Sequence, residues 1–123
     1  MKLTIKRAQR KLDKLWRTKD KESARCEMCE TLPVDERVRY SQLHPHHVIG
    51  KRNKMLRWDL RNRCWLCPTH HTLGNLSAHN DPIWFLGWFK RHRKKDYNYL
   101  LKKRNEILRI GIEDYKLMIN DLQ

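Results

Sequence analysis

The spacing of apolar and polar residues predicts a helix near the start of the chain. Between residues 3 and 16, apolar side chains recur at helical spacing, and lysine and arginine occupy most of the positions between them. The apolar positions of this segment are Ile5, Ala8, Leu12, Leu15 and Trp16. The pattern indicates an amphipathic helix with one apolar face and a basic outer face.

The middle of the chain predicts two short strands separated by loops. CEMCETLPVDERVRY, residues 26–40, is typical of a tight knuckle followed by a loop. Residues 38–49 are the best strand candidate, and Pro45 is a position at which that strand could break. A polar loop follows over residues 51–62, and RCWLC, residues 63–67, predicts the second strand.

A second helix is predicted from NDPIWFLGWFKRH, residues 80–92. Asn80 or Asp81 would be its N-cap and Pro82 its first residue, which is a favourable helix start. The apolar side chains that follow leave little polar face, so this helix is expected to lie in the core. They are Trp84, Phe85, Leu86, Trp88 and Phe89.

The remaining residues add helices but no membrane segment. Two further helical patterns cover residues 97–108 and 112–122, with a break near Gly111. No apolar run approaches the length of a membrane-spanning helix, and the N-terminus lacks the features of a signal peptide. The protein is therefore expected to remain in the cytoplasm.

Charge and cysteine content narrow the class of protein. The chain has 123 residues, with 28 Lys and Arg against 14 Asp and Glu, and a formal net charge of +14. This length is typical of one domain, and a charge so far from zero favours polyanionic partners such as DNA or RNA. Because no export signal is present, the four cysteines are expected to be metal ligands rather than disulfides.

Cysteine and histidine pairs separated by two residues predict a tetrahedral zinc site. Cys26 and Cys29 form one half-site, and RCWLCPTHH offers two ways to complete it. Either Cys64 and Cys67 supply the second pair, or Cys67 and His70 do. Four such ligands would close the site and make the zinc structural, because they would pin the knuckle to the strand that follows.

The segment LHPHHVIGKRN, residues 43–53, holds three of the seven histidines. His46 and His47 are adjacent on the predicted strand, so their side chains should point to opposite faces. One of them could hold a metal ion while the other faces a substrate. Basic side chains that follow this pair are candidates for DNA phosphate contacts, namely Lys51, Arg52, Lys54 and Arg57.

Over residues 26 to about 89, roughly half of the chain, these motifs resemble those of HNH endonucleases. In that family a metal-binding residue stands directly before the histidine that acts as general base. His47, Asn62 and His71 keep the family's spacing, with 15 positions from the base to the asparagine and nine from the asparagine to a metal-binding histidine. NRCWLCPTHH is similar to the family sequence N-L-x-x-L-C-x-x-C-H.

The resemblance implies an α+β fold in which a small ββα-metal (His-Me) finger with a structural zinc knuckle is flanked by helices. The chain would be a single HNH nuclease domain over residues 1–123. A basic N-terminal helix would occupy residues 1–25, the knuckle and finger 26–80, and C-terminal helices 81–123. The implied ligands of the structural Zn²⁺ are Cys26, Cys29, Cys67 and His70, with Cys64 as the alternate.

The implied reaction is hydrolysis of a DNA phosphodiester bond to 5′-phosphate and 3′-hydroxyl ends. His47 would take a proton from water, and Asn62 would keep that histidine oriented. Mg²⁺ or Mn²⁺ is the cation the family leads us to expect, although an imidazole-rich site also suits Ni²⁺ or Zn²⁺. The implied ligands of this catalytic cation are His46, His71 and His79, with Asn75 as the alternate.

The last cation ligand departs from the family pattern. The family places it four residues after the first helix histidine, where this chain has Asn75, whereas His79 lies eight residues after His71. Eight residues of unbroken helix span about 12 Å, too far for one ion, so His79 could bind only if the chain turned back after Gly74. The flanks resemble phage NinG-type, recombination-associated HNH proteins, and this favours His79.

The sequence is also compatible with two other functions. A zinc-stabilised module could bind nucleic acid without cutting it, although a pure binder would not need His47, Asn62 and His71 in register. An RNA-acting nuclease would differ only in substrate, and no RNA-specific module is evident in the sequence. DNA is the expected partner, in a host cytoplasm if the protein is encoded by a phage.

Overall fold

One two-stranded antiparallel sheet lies between helical segments in the computed structural model, which describes residues 2–123. The predicted α+β class is confirmed at this level. A π-helical turn, Thr69–Leu73, follows the second strand. The α-helices and strands within residues 2–123 are α1 (Ile5–Thr18), α2 (Glu27–Glu30), β1 (His44–His47), β2 (Arg63–Leu66), α3 (Pro82–His92), α4 (Lys94–Lys103) and α5 (Ile112–Leu122).

The sheet is shorter than the sequence predicts. β1 and β2 pair with His46 opposite Cys64, and the rest of the segment predicted as a strand over residues 38–49 lies outside β1. The reason is that β2 has only four residues to offer as partners. Pro45 lies inside β1 instead of breaking it, because a strand of a two-stranded sheet has a free edge at which the missing N–H is tolerated.

Two apolar clusters stabilise the fold on either side of the loop that joins the strands. Leu56, in that loop, belongs to the first cluster, and Trp58 belongs to the second, so the loop is anchored in both. The first cluster includes all four cysteines together with Phe85, Trp88, Phe89 and Leu100. The second lies between α1 and α5 and includes Leu12, Trp16, Tyr115, Ile119 and Leu122.

Helix α1 confirms the amphipathic helix predicted near the start of the chain. Thr4 caps it, with its Oγ1 accepting a hydrogen bond from the Arg7 N–H at 3.2 Å. Its end is attached to the strand region, because Trp16 Nε1 donates to the Asp59 carbonyl at 2.9 Å and Arg63 donates to the Trp16 carbonyl at 2.8 Å. The buried positions of the helix are Ala8, Leu12 and Trp16.

Helix α3 begins as predicted but is not wholly core. Asp81, not Asn80, is the N-cap, and its carboxylate accepts from the Trp84 N–H at 3.1 Å, with Pro82 as the first helical residue. Leu86 is 37% exposed and Ile83 is 86% exposed, so the expectation that this helix lies in the core holds for one side only. Only one side of α3 faces the first apolar cluster, through Phe85, Trp88 and Phe89.

Helix α4 ends earlier than the pattern over residues 97–108 predicts. It stops at Lys103, and Ile107 beyond it is 95% exposed, because no apolar cluster lies there to be covered. The predicted break near Gly111 is confirmed, since α5 starts at the next residue and the Gly111 N–H donates to Asp114 at 2.8 Å. Among residues 2–123, none of the helices has both the length and the apolarity needed to cross a membrane.

Candidate metal centres

Four buried side chains converge where α2, the end of β2 and the π-helical turn meet. Cys26 is the N-cap of α2 and Cys29 lies in its single turn, while Cys67 follows β2 and His70 lies in the π-helical turn. Their ligand atoms all lie within 4.8 Å of one another. Each of the four residues is at most 8% exposed. This group, called the zinc group below, could hold a zinc ion.

The separations within the zinc group match a tetrahedral ion. His70 Nδ1 lies 3.6 Å from Cys26 Sγ and 3.4 Å from the Sγ atoms of both Cys29 and Cys67. The Sγ atoms of Cys29 and Cys67 are 4.0 Å apart. Tetrahedral zinc with Zn–S of about 2.3 Å and Zn–N of about 2.0 Å would place sulfur and nitrogen about 3.5 Å apart and two sulfurs about 3.8 Å apart. These four separations are therefore compatible with a bound zinc ion.

Burial and backbone hydrogen bonding act in opposite directions on the pKa values of the thiols in the zinc group. Burial raises the pKa of Cys29 to about 12 and also raises the pKa of Cys67. Burial acts on Cys26 as well, but hydrogen bonds from His70 and the backbone outweigh it and lower the Cys26 pKa to about 7. Zinc binds thiolates, so binding here must release protons, and zinc affinity should rise with pH.

Cys64, the alternate zinc ligand, lies outside this group. It is fully buried in β2, three residues before Cys67. Side chains alternate along an extended segment, so two residues three positions apart point to opposite faces. Burial raises the Cys64 pKa well above its ordinary value, which is the behaviour of an inert packed thiol. The structure places His70 rather than Cys64 with the other three ligands.

Three histidines form a second candidate metal group, called the histidine group below. His46 on β1, His71 in the π-helical turn and His79 after it each place a ring nitrogen within 4.8 Å of the others. The Nε2 atoms of His71 and His79 are 3.1 Å apart, and two nitrogens bound at a right angle to one ion would be about 3.0 Å apart. His79 is exposed, so the group is open to solvent, as a catalytic metal site requires.

A reversal of the chain brings His79 back to His71. The π-helical turn ends at Leu73 with Gly74 as its C-cap, and the N–H of His79 then donates to the His71 carbonyl at 3.1 Å. Glycine is needed at this point, because a Cβ there would lie 2.9 Å from the Thr69 carbonyl oxygen. Asn75, the alternate ligand, is exposed in the intervening bend. The eight-residue separation is therefore closed by a loop and not spanned by a helix.

Burial keeps His46 and His71 neutral by lowering their pKa values. Together with the neighbouring His71 and His79, it lowers the pKa of His46 to about 3. Burial lowers the pKa of His71 to about 4, and His79 and His44 act in the same direction. At pH 7 these two imidazoles each keep an unprotonated nitrogen, which is the form that binds a metal ion.

His44, to which the sequence analysis assigns no role, contacts the histidine group. Its Nδ1 lies 2.9 Å from Nδ1 of His71, so His71 has one ring nitrogen beside His44 and the other beside His79. A hydrogen bond to the second ring nitrogen of a metal ligand fixes its tautomer and its orientation. The signal for this role was the spacing, because His44 and His46 are two residues apart on β1 and share a face.

We expect His44→Ala to weaken binding of a divalent cation to the histidine group by about 10- to 100-fold, the usual effect of losing such a partner. Titration calorimetry with Mn²⁺ on the zinc-loaded protein would measure it. His92→Ala is the matched control, since His92 lies on α3 outside both groups. Equal Mn²⁺ affinities for the two variants would contradict the role given to His44.

His47 is next to His46 in β1 but belongs to neither metal group. Its Nε2 lies 2.9 Å from the Arg57 carbonyl oxygen, and its ring stacks on Trp16 with centroids 3.8 Å apart and planes at 11°. Burial lowers the pKa of His47, and the cationic Lys51 and Arg57 act in the same direction. The result is an uncoordinated, neutral imidazole beside the histidine group.

Asn62 is fully buried and ties the loop between the strands to the end of β1. Its Oδ1 accepts from the Ile49 N–H at 2.7 Å, and its Nδ2 donates to the carbonyls of Ile49 and Leu56 at 2.9 and 3.0 Å. Its own carbonyl accepts from the Val48 N–H at 3.0 Å. Asn62 thus ties the loop to the strand, and the loop it closes carries the Arg57 carbonyl.

A cleft with a cavity of about 360 Å³ brings His47 and the histidine group together. Two cationic side chains also line it, Lys51 from the loop after β1 and Arg17 from α1. Lys51 is one of the predicted DNA contacts. Arg17 is not, because the sequence of α1 does not show which part of the helix approaches the strands.

The other three predicted DNA contacts lie elsewhere. The Arg57 guanidinium pairs with the Asp13 carboxylate through Nε at 3.1 Å and Nη2 at 2.8 Å. Arg52 and Lys54 line a separate depression beside Arg104. Of the four candidates, only Lys51 borders the cleft that contains the histidines.

Comparison with protein-family models, curated proteins and solved structures found no match to this chain. A functional interpretation therefore depends on the two groups of ligands and on the cleft. The zinc group is closed and buried, whereas the histidine group opens into the cleft beside His47. A closed site is typical of a structural ion and an open one of a catalytic ion.

Proposed function

We propose that this protein is a metal-dependent endonuclease of the HNH type, which hydrolyses DNA phosphodiester bonds. The observation that carries the proposal is a neutral imidazole outside both metal groups, His47, in the same cleft as the open histidine group. Phosphodiester hydrolysis requires a base for water and positive charge near the phosphate. The net charge of +14 supports a polyanionic substrate.

In this proposal β1, β2 and the π-helical turn are the ββα-metal finger. Two adjacent residues of the turn support it, since His70 belongs to the zinc group and His71 to the histidine group. Zinc at the first group would hold the turn in place and thereby position His71. The zinc group would then be structural and the histidine group catalytic.

His47 is proposed as the general base. A carbonyl oxygen can only accept a hydrogen bond, so the Nε2 that contacts the Arg57 carbonyl must carry the proton. In the neutral ring Nδ1 is then the unprotonated atom, and it can take a proton from water. The lowered pKa of His47 keeps the ring in this neutral form near pH 7.

His46, His71 and His79 are proposed to hold one divalent cation. That cation would offset the negative charge of the phosphate and of the departing 3′-oxygen. We propose Mg²⁺ or Mn²⁺ in this role, while three imidazoles would also accept Ni²⁺ or Zn²⁺ in vitro. Asn62 does no acid–base chemistry in this scheme and acts by securing the loop that contacts His47.

Arg17 and Lys51 are proposed to contact DNA phosphates at the edges of the cleft. The double change Arg17→Gln, Lys51→Gln should weaken binding to duplex DNA and reduce the slope of log K against log salt concentration by about 2, because each phosphate contact contributes about 0.9. Fluorescence anisotropy at several salt concentrations measures both effects. The matched control is Arg52→Gln, Lys54→Gln, and an equal effect of both pairs would contradict the assignment to the cleft.

The proposal is tested by nicking of a supercoiled plasmid. We expect zinc-loaded protein to convert it to nicked circles with 5′-phosphate ends in Mg²⁺ or Mn²⁺, and we expect His71→Ala to lose this activity while His92→Ala keeps it. Binding without cleavage in any of these metals would instead indicate a zinc-stabilised nucleic-acid-binding module. Cleavage of RNA in preference to DNA would contradict the proposal that DNA is the substrate.

A further inference from the structure

We propose that helix α1 belongs to the catalytic apparatus, because Trp16 and Asp13 are positioning residues that hold the ring plane and the tautomer of His47. The inference rests on the proposed function, in that it takes His47 to be the general base. Its structural part, the control of one imidazole by a helix outside the two strands, can be tested without any activity.

Trp16 fixes the plane of the His47 ring. The two rings are nearly parallel, at 11°, and their centroids are only 3.8 Å apart. The indole is itself fixed, since it is 1% exposed and its Nε1 donates to the Asp59 carbonyl at 2.9 Å. An imidazole lying on this rigid surface can still turn within its own plane, but it cannot tilt toward the indole.

Asp13 restricts the in-plane rotation of the His47 ring indirectly, through the loop that carries Arg57. Its carboxylate accepts two hydrogen bonds from the Arg57 guanidinium, at 3.1 and 2.8 Å, and a third from Trp58 Nε1 at 2.8 Å. These bonds hold residues 57 and 58 against α1. The Arg57 carbonyl is thereby presented to His47 Nε2 at 2.9 Å, and this contact fixes both the in-plane rotation and the nitrogen that carries the proton.

Packing of α1 alone does not account for this arrangement. Asp13 is the single acidic residue of an otherwise basic helix, and it lies where it can meet the one arginine whose carbonyl contacts His47. Trp16 borders the cleft as well as the second apolar cluster. Leu12, one turn earlier in α1, is equally buried but does not line the cleft, which makes it the natural control.

The test compares Trp16→Leu and Asp13→Ala with Leu12→Ala in the zinc-loaded full chain. For the first two variants we expect a fall of about 100-fold in kcat, the usual effect of misplacing a catalytic group by about 1 Å, with KM and Mn²⁺ affinity within about threefold of the original protein. Trp16→Phe keeps a flat ring beneath His47 and should restore most of kcat. Leu12→Ala should lower the melting temperature at least as much, but with little change in kcat.

A second measurement needs no substrate and no metal in the histidine group. Long-range ¹H–¹⁵N spectra should show one tautomer of His47, protonated at Nε2, in the original protein and in Leu12→Ala. A mixture of tautomers is expected in Asp13→Ala, which leaves the buried Trp16 in place. If the original protein cut no DNA, the proposed function would be wrong, but these spectra would still test whether α1 positions the His47 ring. Unchanged His47 signals in Asp13→Ala, or a kcat loss in Leu12→Ala equal to that of Trp16→Leu, would overturn the inference.

Discussion

Replacing Cys29 with serine should abolish zinc binding and, with it, the cooperative unfolding of the protein. The zinc group joins α2, the end of β2 and the π-helical turn, and the first apolar cluster is assembled around its cysteines. Binding of zinc to finger peptides is worth about 10–16 kcal/mol at pH 7, whereas the whole stability of a typical domain is about 5–15 kcal/mol. Loss of the ion should therefore leave no stable native state in this half of the chain.

Thermal melts followed by circular dichroism, together with zinc content by mass spectrometry, measure this effect. Cys64→Ala is the matched control, because it removes a sulfur that is just as buried but lies outside the zinc group. We expect it to keep one zinc per chain and to lose only about 1 kcal/mol from the small cavity it leaves. If purified protein carried no zinc and Cys29→Ser melted no lower than Cys64→Ala, the structural zinc would be refuted.

Replacing His47 with alanine should lower the rate of DNA cleavage by about 10²- to 10⁴-fold, the usual contribution of a general base. The reason is that no other imidazole outside the histidine group lines the cleft. Affinity for Mn²⁺ should change little, because His47 is not one of the three residues of the histidine group. DNA affinity should also persist, so the loss should lie in kcat and not in KM.

Single-turnover cleavage of a labelled duplex, with Mn²⁺ titrations alongside, separates these quantities. His71→Ala is the informative comparison, since it should lose Mn²⁺ affinity as well as activity. His92→Ala, on the outer part of α3, should behave like the original protein. Cleavage by His47→Ala would show that His47 is not the general base. The proposal would then lack a group that takes the proton from water beside the histidine group.

Features encoded within one or two turns of chain could be predicted from the sequence. Spacing predicted the Cys26–Cys29 pair and left Cys67 to pair with Cys64 or His70, of which the resemblance favoured His70. The structure brings Cys26, Cys29, Cys67 and His70 together, because two intervening residues in a tight turn bring both side chains of a pair to the same side. Asp81 and Pro82 begin α3 for a similarly local reason, namely that the N-cap bond closes over three residues. Periodicity also predicted α1, whose buried face repeats at helical spacing.

Predictions that depended on residues distant in the sequence were less accurate. The length of β1 depended on how many residues β2 could pair with, which the sequence of residues 38–49 does not contain. The exposed side of α3 and the early end of α4 depended on where the first apolar cluster stops. Ile83 and Ile107 are apolar but exposed, since hydrophobicity alone does not guarantee that a core lies within reach.

The histidine group depends partly on local sequence and partly on tertiary structure. The family resemblance favoured His46, His71 and His79, but the approach of His79 to His71 depended on a chain reversal after Gly74, and the contact from His44 depended on how β1 faces that reversal. The approach of α1 to the cleft was equally beyond reach of its sequence. Backbone geometry within a few residues is set by those residues, whereas the surface that a helix or loop meets is set by long-range packing, here of two apolar clusters on a shared loop.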